Sequence, residues 1–113
     1  MALASTVHAE GDATAGATVF AQCAACHAVG PAAQNSVGPV LNGVVGRAAG
    51  TFAGYRYSSA MRKSGLTWDE ATLTQYLHGP DKLVPGTKMA FPGMANDKDV
   101  ADVIAYLKQQ TGK

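Results

Sequence analysis

The chain has 113 residues, 47% hydrophobic and 15% charged, with a formal net charge of +1. That length bounds it to one domain, and the apolar content excludes intrinsic disorder. The near-neutral charge excludes a general attraction for nucleic acid or anionic membrane, and no apolar run approaches the roughly 20 residues of a spanning helix. The expectation is a soluble monomer with no membrane anchor of its own, its partners chosen by a local patch.

Residues 1–9 end in Val7-His8-Ala9, which resembles the small-x-small end of a secretory signal without its charged and long apolar parts. A clipped signal and a short disordered tail are equally good readings, and the domain is assigned to 10–113. The first helix is predicted to start near Asp12, a good N-cap. Ala13, Gly16, Ala17 and Phe20 then share one face. Gly16 costs helix stability unless another helix passes close to its bare backbone, so a crossing is expected there.

The motif Cys23-Ala24-Ala25-Cys26-His27 comes next. Two thiols three residues apart on one turn can each add across a vinyl group of haem, and the adjacent imidazole then reaches the iron. CxxC pairs also serve zinc sites, redox disulfides and structural bridges. Zinc would need two further ligands at similar spacing, and these are the chain's two cysteines, with His8 and His78 as its other histidines. A thioredoxin-like site would need a βαβ pattern, which is missing. Covalent haem attachment through Cys23 and Cys26, with His27 on the iron, is the preferred reading.

From Gly30 to Gly54 dense Gly and Pro rule out long regular structure and predict wrapping loop. Within it Val40, Leu41, Val44 and Val45 are predicted to form one short helical turn over the histidine side. A short helix is expected over 58–64, stopped by Gly65. Thr67-Trp68-Asp69-Glu70 reads as a capping box, followed by Leu73, Tyr76 and Leu77 at helical spacing and a stop at Gly79-Pro80. Pro85 to Gly93 is an extended loop. The last helix is predicted from Asn96 or Asp97 to about Gln110, with Val100, Val103, Ile104 and Leu107 in one stripe. Nothing reads as a sustained strand, and the fold class is all-α.

An iron held by His27 has a second open face. Met89 is the best candidate for it, because a proline-bounded loop can aim a thioether inward, but a core-filling role is an equal reading from spacing alone. Met61, Met94 and His78 remain alternatives, and Met1 is a terminus.

Several stretches are similar to one family. These are the Cys23–His27 motif, Gly38-Pro39-Val40-Leu41, Gly46-Arg47, Gly65-Leu66-Thr67-Trp68, and Tyr76-Leu77 through Pro85-Gly86-Thr87-Lys88-Met89-Ala90-Phe91. From about Asp12 to Leu107 the chain resembles class I cytochrome c, in particular the short bacterial relatives of the mitochondrial protein. The resemblance implies a small single domain of helices and loops wrapped around one covalent haem c, with His27 and Met89 as the axial pair. It implies that the Pro39 carbonyl accepts a hydrogen bond from His27, that Arg47, Tyr57 and Trp68 surround the inner propionate, and that Tyr76 and Thr87 lie on the Met89 side. Two departures stand out. Met61 occupies a place where many relatives have Asn, and the docking lysines are reduced to Lys82 and Lys88, with Asp81 and Gln22 where relatives often carry lysine.

The implied function is single-electron transfer between redox proteins of a respiratory or photosynthetic chain in the periplasm, with a membrane-bound donor and a terminal acceptor docking at the haem edge near Lys82 and Lys88. The rival is a haem enzyme or a gas or peroxide sensor with a labile sixth ligand. No histidine is placed near Met89 to move protons during bond cleavage, which favours a carrier and not an enzyme. A purely structural disulfide domain is the third reading, disfavoured by the match at Met89.

Overall fold

Asp12 opens the first helix. In this computed structural model, which describes residues 11–112, its carboxylate accepts from the N–H groups of Thr14 and Ala15 at 2.9 and 3.3 Å. Helix α1 runs Ala13–Val19, and a 3-10 turn, Phe20–Gln22, carries the chain to Cys23. The tail expected at 1–9 lies outside the described residues.

The partner of α1 comes from the other end of the chain. The last helix, Asp97–Lys108, is capped by the Asn96 side chain, which accepts from the Asp99 N–H. It buries Val100, Val103, Ile104 and Leu107, the stripe read from the sequence. The two helices cross at Gly16, where a Cβ would lie 1.9 Å from the Asp102 carbonyl oxygen, so only glycine lets the backbones meet. The Phe20 and Tyr106 rings close one side of the crossing, with centroids 5.4 Å apart. Asp102 fastens it. Its buried carboxylate accepts from the Asp12 N–H at 2.8 Å and pairs with Lys98 at 2.8 Å. The Asp12 N–H first, and Lys98 after it, hold that carboxyl below the usual carboxylate range.

Three short helices lie between. Helix α2, Ser59–Arg62, is capped by Ser58 and falls within the predicted 58–64 segment. Helix α3, Glu70–His78, buries Leu73, Tyr76 and Leu77. Helix α4, Pro80–Leu83, was not expected, because Gly79-Pro80 reads as a stop. Proline suits the first position of a helix, where its missing N–H is not needed, so the residue that ends α3 also begins α4. The last helix is therefore α5.

Two local expectations fail for one reason, that backbone groups are already engaged elsewhere. Thr67 does not cap α3. It forms an isolated antiparallel bridge with Ala48, while the Trp68 N–H donates to the Arg47 carbonyl at 2.8 Å, and this extended pairing delays the helix by two residues. Asp69 caps instead, accepting from the Thr72 N–H at 2.8 Å. Glu70 falls at the first helical position and accepts from Lys108 at 2.7 Å, tying α3 to α5. Likewise Val40 to Val45 form two turns and no helical one. The N–H of Gly43 donates to the Gln110 carbonyl and that of Gly46 to the Trp68 carbonyl, both at 2.7 Å, so neither is free for a helix. Val40 and Val44 are still buried. Among the described residues, no helix is long and apolar enough to cross a membrane.

Candidate functional site

Cys23 and Cys26 sit on one turn beyond α1, where the His27 N–H donates to the Cys23 carbonyl at 2.9 Å. Both thiols are free. Burial, and then the neighbouring Cys26, push the Cys23 thiol up. The His27 ring is seated against Gly38, where a Cβ would fall 2.4 Å from its Cε1. Its Nδ1 lies 2.7 Å from the Pro39 carbonyl oxygen. A carbonyl only accepts, so Nδ1 carries the hydrogen and Nε2 keeps its lone pair. Burial lowers the pKa of His27 and the Pro39 contact opposes that shift; the ring favours the neutral state that a metal requires.

The ring faces two cavities of about 190 and 100 Å³ that share Cys23, His27, Tyr57, Met61, Tyr76 and Met89 as walls. Thus Met89, in the loop after α4, lines the same space as His27. It is steadied through Thr87, whose hydroxyl lies 2.6 Å from the Tyr76 hydroxyl and 3.4 Å from the Met89 N–H. Burial raises the Tyr76 phenol, and Thr87 partly offsets this. Met61 lines both cavities as well, whereas Met94 and His78 line neither. Met1 lies outside the described residues.

Arg47, Tyr57 and Trp68 all line the smaller cavity. The Arg47 guanidinium donates to the Asn42 carbonyl at 2.7 Å and stands 4.9 Å from the Phe52 ring centroid. Its Nε is buried without a hydrogen-bond partner among the described residues. Burial pulls the Arg47 pKa down, with Tyr57 acting against that. The Tyr57 oxygen accepts from the Phe52 N–H at 3.1 Å, leaving its own hydrogen to donate. A buried cationic donor left short of an acceptor asks for an anion, and an indole and a phenol beside it suit a carboxylate. Two free thiols, a ring nitrogen with an open lone pair, an apolar slot and carboxylate donors together fit a haem.

Sequence reasoning missed Tyr55 and the state of Lys88. The Tyr55 hydroxyl donates to the Val37 carbonyl at 2.7 Å, and its ring meets Tyr57 edge-on with centroids 4.9 Å apart. The Lys88 ammonium donates to the Arg56 carbonyl at 2.7 Å and lies 4.9 Å from the Tyr55 centroid. Lys88 is exposed but tethered, while Lys82 is exposed with its stem beside Gly79. The alternation Tyr55-Arg56-Tyr57 was a readable signal, since residues two apart in extended chain share a side.

The family model described as Cytochrome c matches residues 13–111. Cytochrome c2 of Rhodomicrobium vannielii is 55% identical over 109 residues, covering 96% of this chain and 87% of the relative. Cytochrome c2 of Rhodoblastus acidophilus is 57% identical over 99 residues, 88% of this chain and 92% of its own. Among solved structures, cytochrome cH from Methylobacterium extorquens superposes with a TM-score of 0.84 at 55% identity, over 88% of this chain and 100% of that one. With the family's pattern running almost the whole length of a fold that walls one slot with two thiols, an imidazole and a thioether, the chain belongs to the class I cytochromes c, among their cytochrome c2-like members.

Proposed function

We infer that one haem c would be held through thioethers to Cys23 and Cys26, with His27 Nε2 and the Met89 sulfur as the ligands to its iron. The observation that carries this reading is that His27, with Nδ1 committed to Pro39, and Met89 line the same two cavities. Bound haem supplies a one-electron ferric–ferrous couple. The chain is a periplasmic electron carrier and not an enzyme.

The chain's own residues set how well that couple works. Pro39 fixes the tautomer of His27 and strengthens its donation. Thr87 and Tyr76 hold the backbone from which Met89 reaches inward. Arg47, Tyr57 and Trp68 give a propionate its donors, so that a carboxylate can be buried. Leu73, Leu77, Val103 and Leu107 exclude water from the slot, and a thioether ligand in apolar surroundings raises the potential. Redox proteins meet the molecule at the cleft edge near Lys82 and Lys88. Lys82 supplies exposed positive charge, and tethered Lys88 braces the ligand loop.

The test is the spectrum and potential of methionine variants. Low-spin ferric protein with a weak sulfur-to-iron charge-transfer band is expected. Met89→Leu should abolish that band, lower the potential and open the iron to cyanide or peroxide. Met61→Leu should keep it, since an apolar group of similar volume replaces the side chain at modest cost. Loss of the band in Met61→Leu with Met89→Leu unaffected would transfer the ligand role to Met61. A wild type already high-spin and peroxide-reactive would overturn the axial pair.

A further inference from the structure

The far end of the ligand loop is fastened to the end of α3. Gly93, at φ 112°, passes so close that a Cβ there would lie 2.1 Å from the His78 carbonyl oxygen. Met94 is then held by both of its backbone groups. Its N–H donates to the Leu77 carbonyl at 2.8 Å, and its carbonyl oxygen lies 2.6 Å from Nδ1 of His78. The other ring nitrogen, Nε2, stands 2.9 Å from the Asp97 carboxylate at the start of α5. Both partners are acceptors, so both bonds form only when both ring nitrogens carry hydrogen. A neutral ring has one N–H and turns a lone pair toward either the carbonyl or the carboxylate.

We propose that His78 is a positioning residue for Met89: as an imidazolium it clamps the loop end at Met94 between α3 and α5, and loss of its proton loosens the loop and with it the hold of Met89 on the iron. This role rests on Met89 being the axial ligand. Between α4 and α5 the loop has no helix of its own, so its hold depends on its fastenings: Tyr76 and Thr87 at one end, the Lys88 tether to Arg56 beside Met89, and Leu77 with His78 at the other end.

The charge change is local. Asp97 is the charged group bonded to the ring from α5, whose next charges, Lys98 and Asp102, pair with each other. Asp99 is half-buried in the same first turn. From α4, Asp81 and Lys82 are exposed and make no bond to the ring. On α3 itself, Glu70 is paired with Lys108. The His78 side chain is 32% exposed, open to proton exchange with water.

Nitrogen-15 NMR of the ferrous holoprotein, followed as the pH is raised, reads the His78 ring nitrogens and the exchange of the Met94 N–H, and the ferric charge-transfer band is followed in parallel. As His78 loses its proton, Met94 exchange, corrected for base catalysis, should accelerate about tenfold or more. The band should weaken over the same interval. His78→Gln, whose amide still donates to the Met94 carbonyl but cannot titrate, should keep the band and abolish its pH step. Asp97→Asn should move the step to lower pH, because removing the anion disfavours the imidazolium. A step that persists in His78→Gln, a midpoint unmoved in Asp97→Asn, or faster Met94 exchange with an unchanged band would overturn the proposal. Absence of the band at every pH would instead defeat Met89 ligation, and the role of His78 with it, whereas Met94 exchange reports the clamp independently of the ligand.

Discussion

Replacing Gly16 with alanine sets two well-measured effects against each other at the α1–α5 crossing. A Cβ at Gly16 would lie 1.9 Å from the Asp102 carbonyl oxygen and 2.6 Å from its carbon, against an ordinary contact that begins at 3.4 Å, so the helices must part by on the order of 1 Å. Backbone faces backbone, and no rotamer change relieves the overlap. The parting disturbs the core that the buried stripe of α5, Val100, Val103, Ile104 and Leu107, shares with Phe20. Burying four such groups is worth about 6–12 kcal/mol, and a gap approaching 1 Å forfeits roughly a third of close contact, or about 2–4 kcal/mol. Alanine returns about 1 kcal/mol through helix propensity. The net expectation is a loss of about 1–3 kcal/mol, read as a lower midpoint with unchanged slope in guanidinium unfolding of the ferric holoprotein. The charge-transfer band should be intact before unfolding. An equal or higher midpoint would mean that propensity governs the site and that the close crossing constrains nothing.

Arg47→Ala and Trp68→Phe should each lower the unfolding midpoint of the holoprotein without releasing haem, because in the proposed site each would leave a propionate oxygen short of a donor, at about 1–3 kcal/mol per unsatisfied buried group. Unchanged midpoints in both would remove the proposed propionate shell. Asp102→Asn should cost stability at neutral pH and progressively less in acid. The folded-state pKa of Asp102 is depressed, so its contribution is complete above the ordinary carboxylate value of about 3.9 and is lost as pH falls through the lower folded value. A gap between wild type and variant that stays constant down to acid unfolding would count against the Asp102 clasp.

What the sequence made legible was whatever depends on neighbours along the chain or on a strict period. Asp12 caps because its side chain reaches N–H groups two and three residues away, and the α5 stripe repeats at helical spacing. Gly16 was legible for a different reason, as a residue whose cost in a helix needed a tertiary return. The failures involve backbone groups engaged by distant chain. Thr67 had the right side chain for a cap, but Ala48 held its backbone, and Gly43 looked available until Gln110 took its N–H. In the site, a motif and a resemblance pointed to Cys23, Cys26, His27 and Met89. The unpartnered Nε of Arg47, the tether on Lys88 and the two acceptors around His78 are relations between loops, which no local pattern encodes.

The bond between the Asp12 N–H and Asp102 joins residues 90 apart. Closing a ring of that size costs only about 1.6 kcal/mol more than closing one of 15 residues, since the entropy grows with the logarithm of length. The result is mechanical. For a pull applied to α1 and α5 the clasp is loaded in shear or peel before any segment inside the ring is stretched, and both the Cys23–His27 turn and the Met89 loop lie inside. The loops around the cofactor therefore carry no tension until the first and last helices separate.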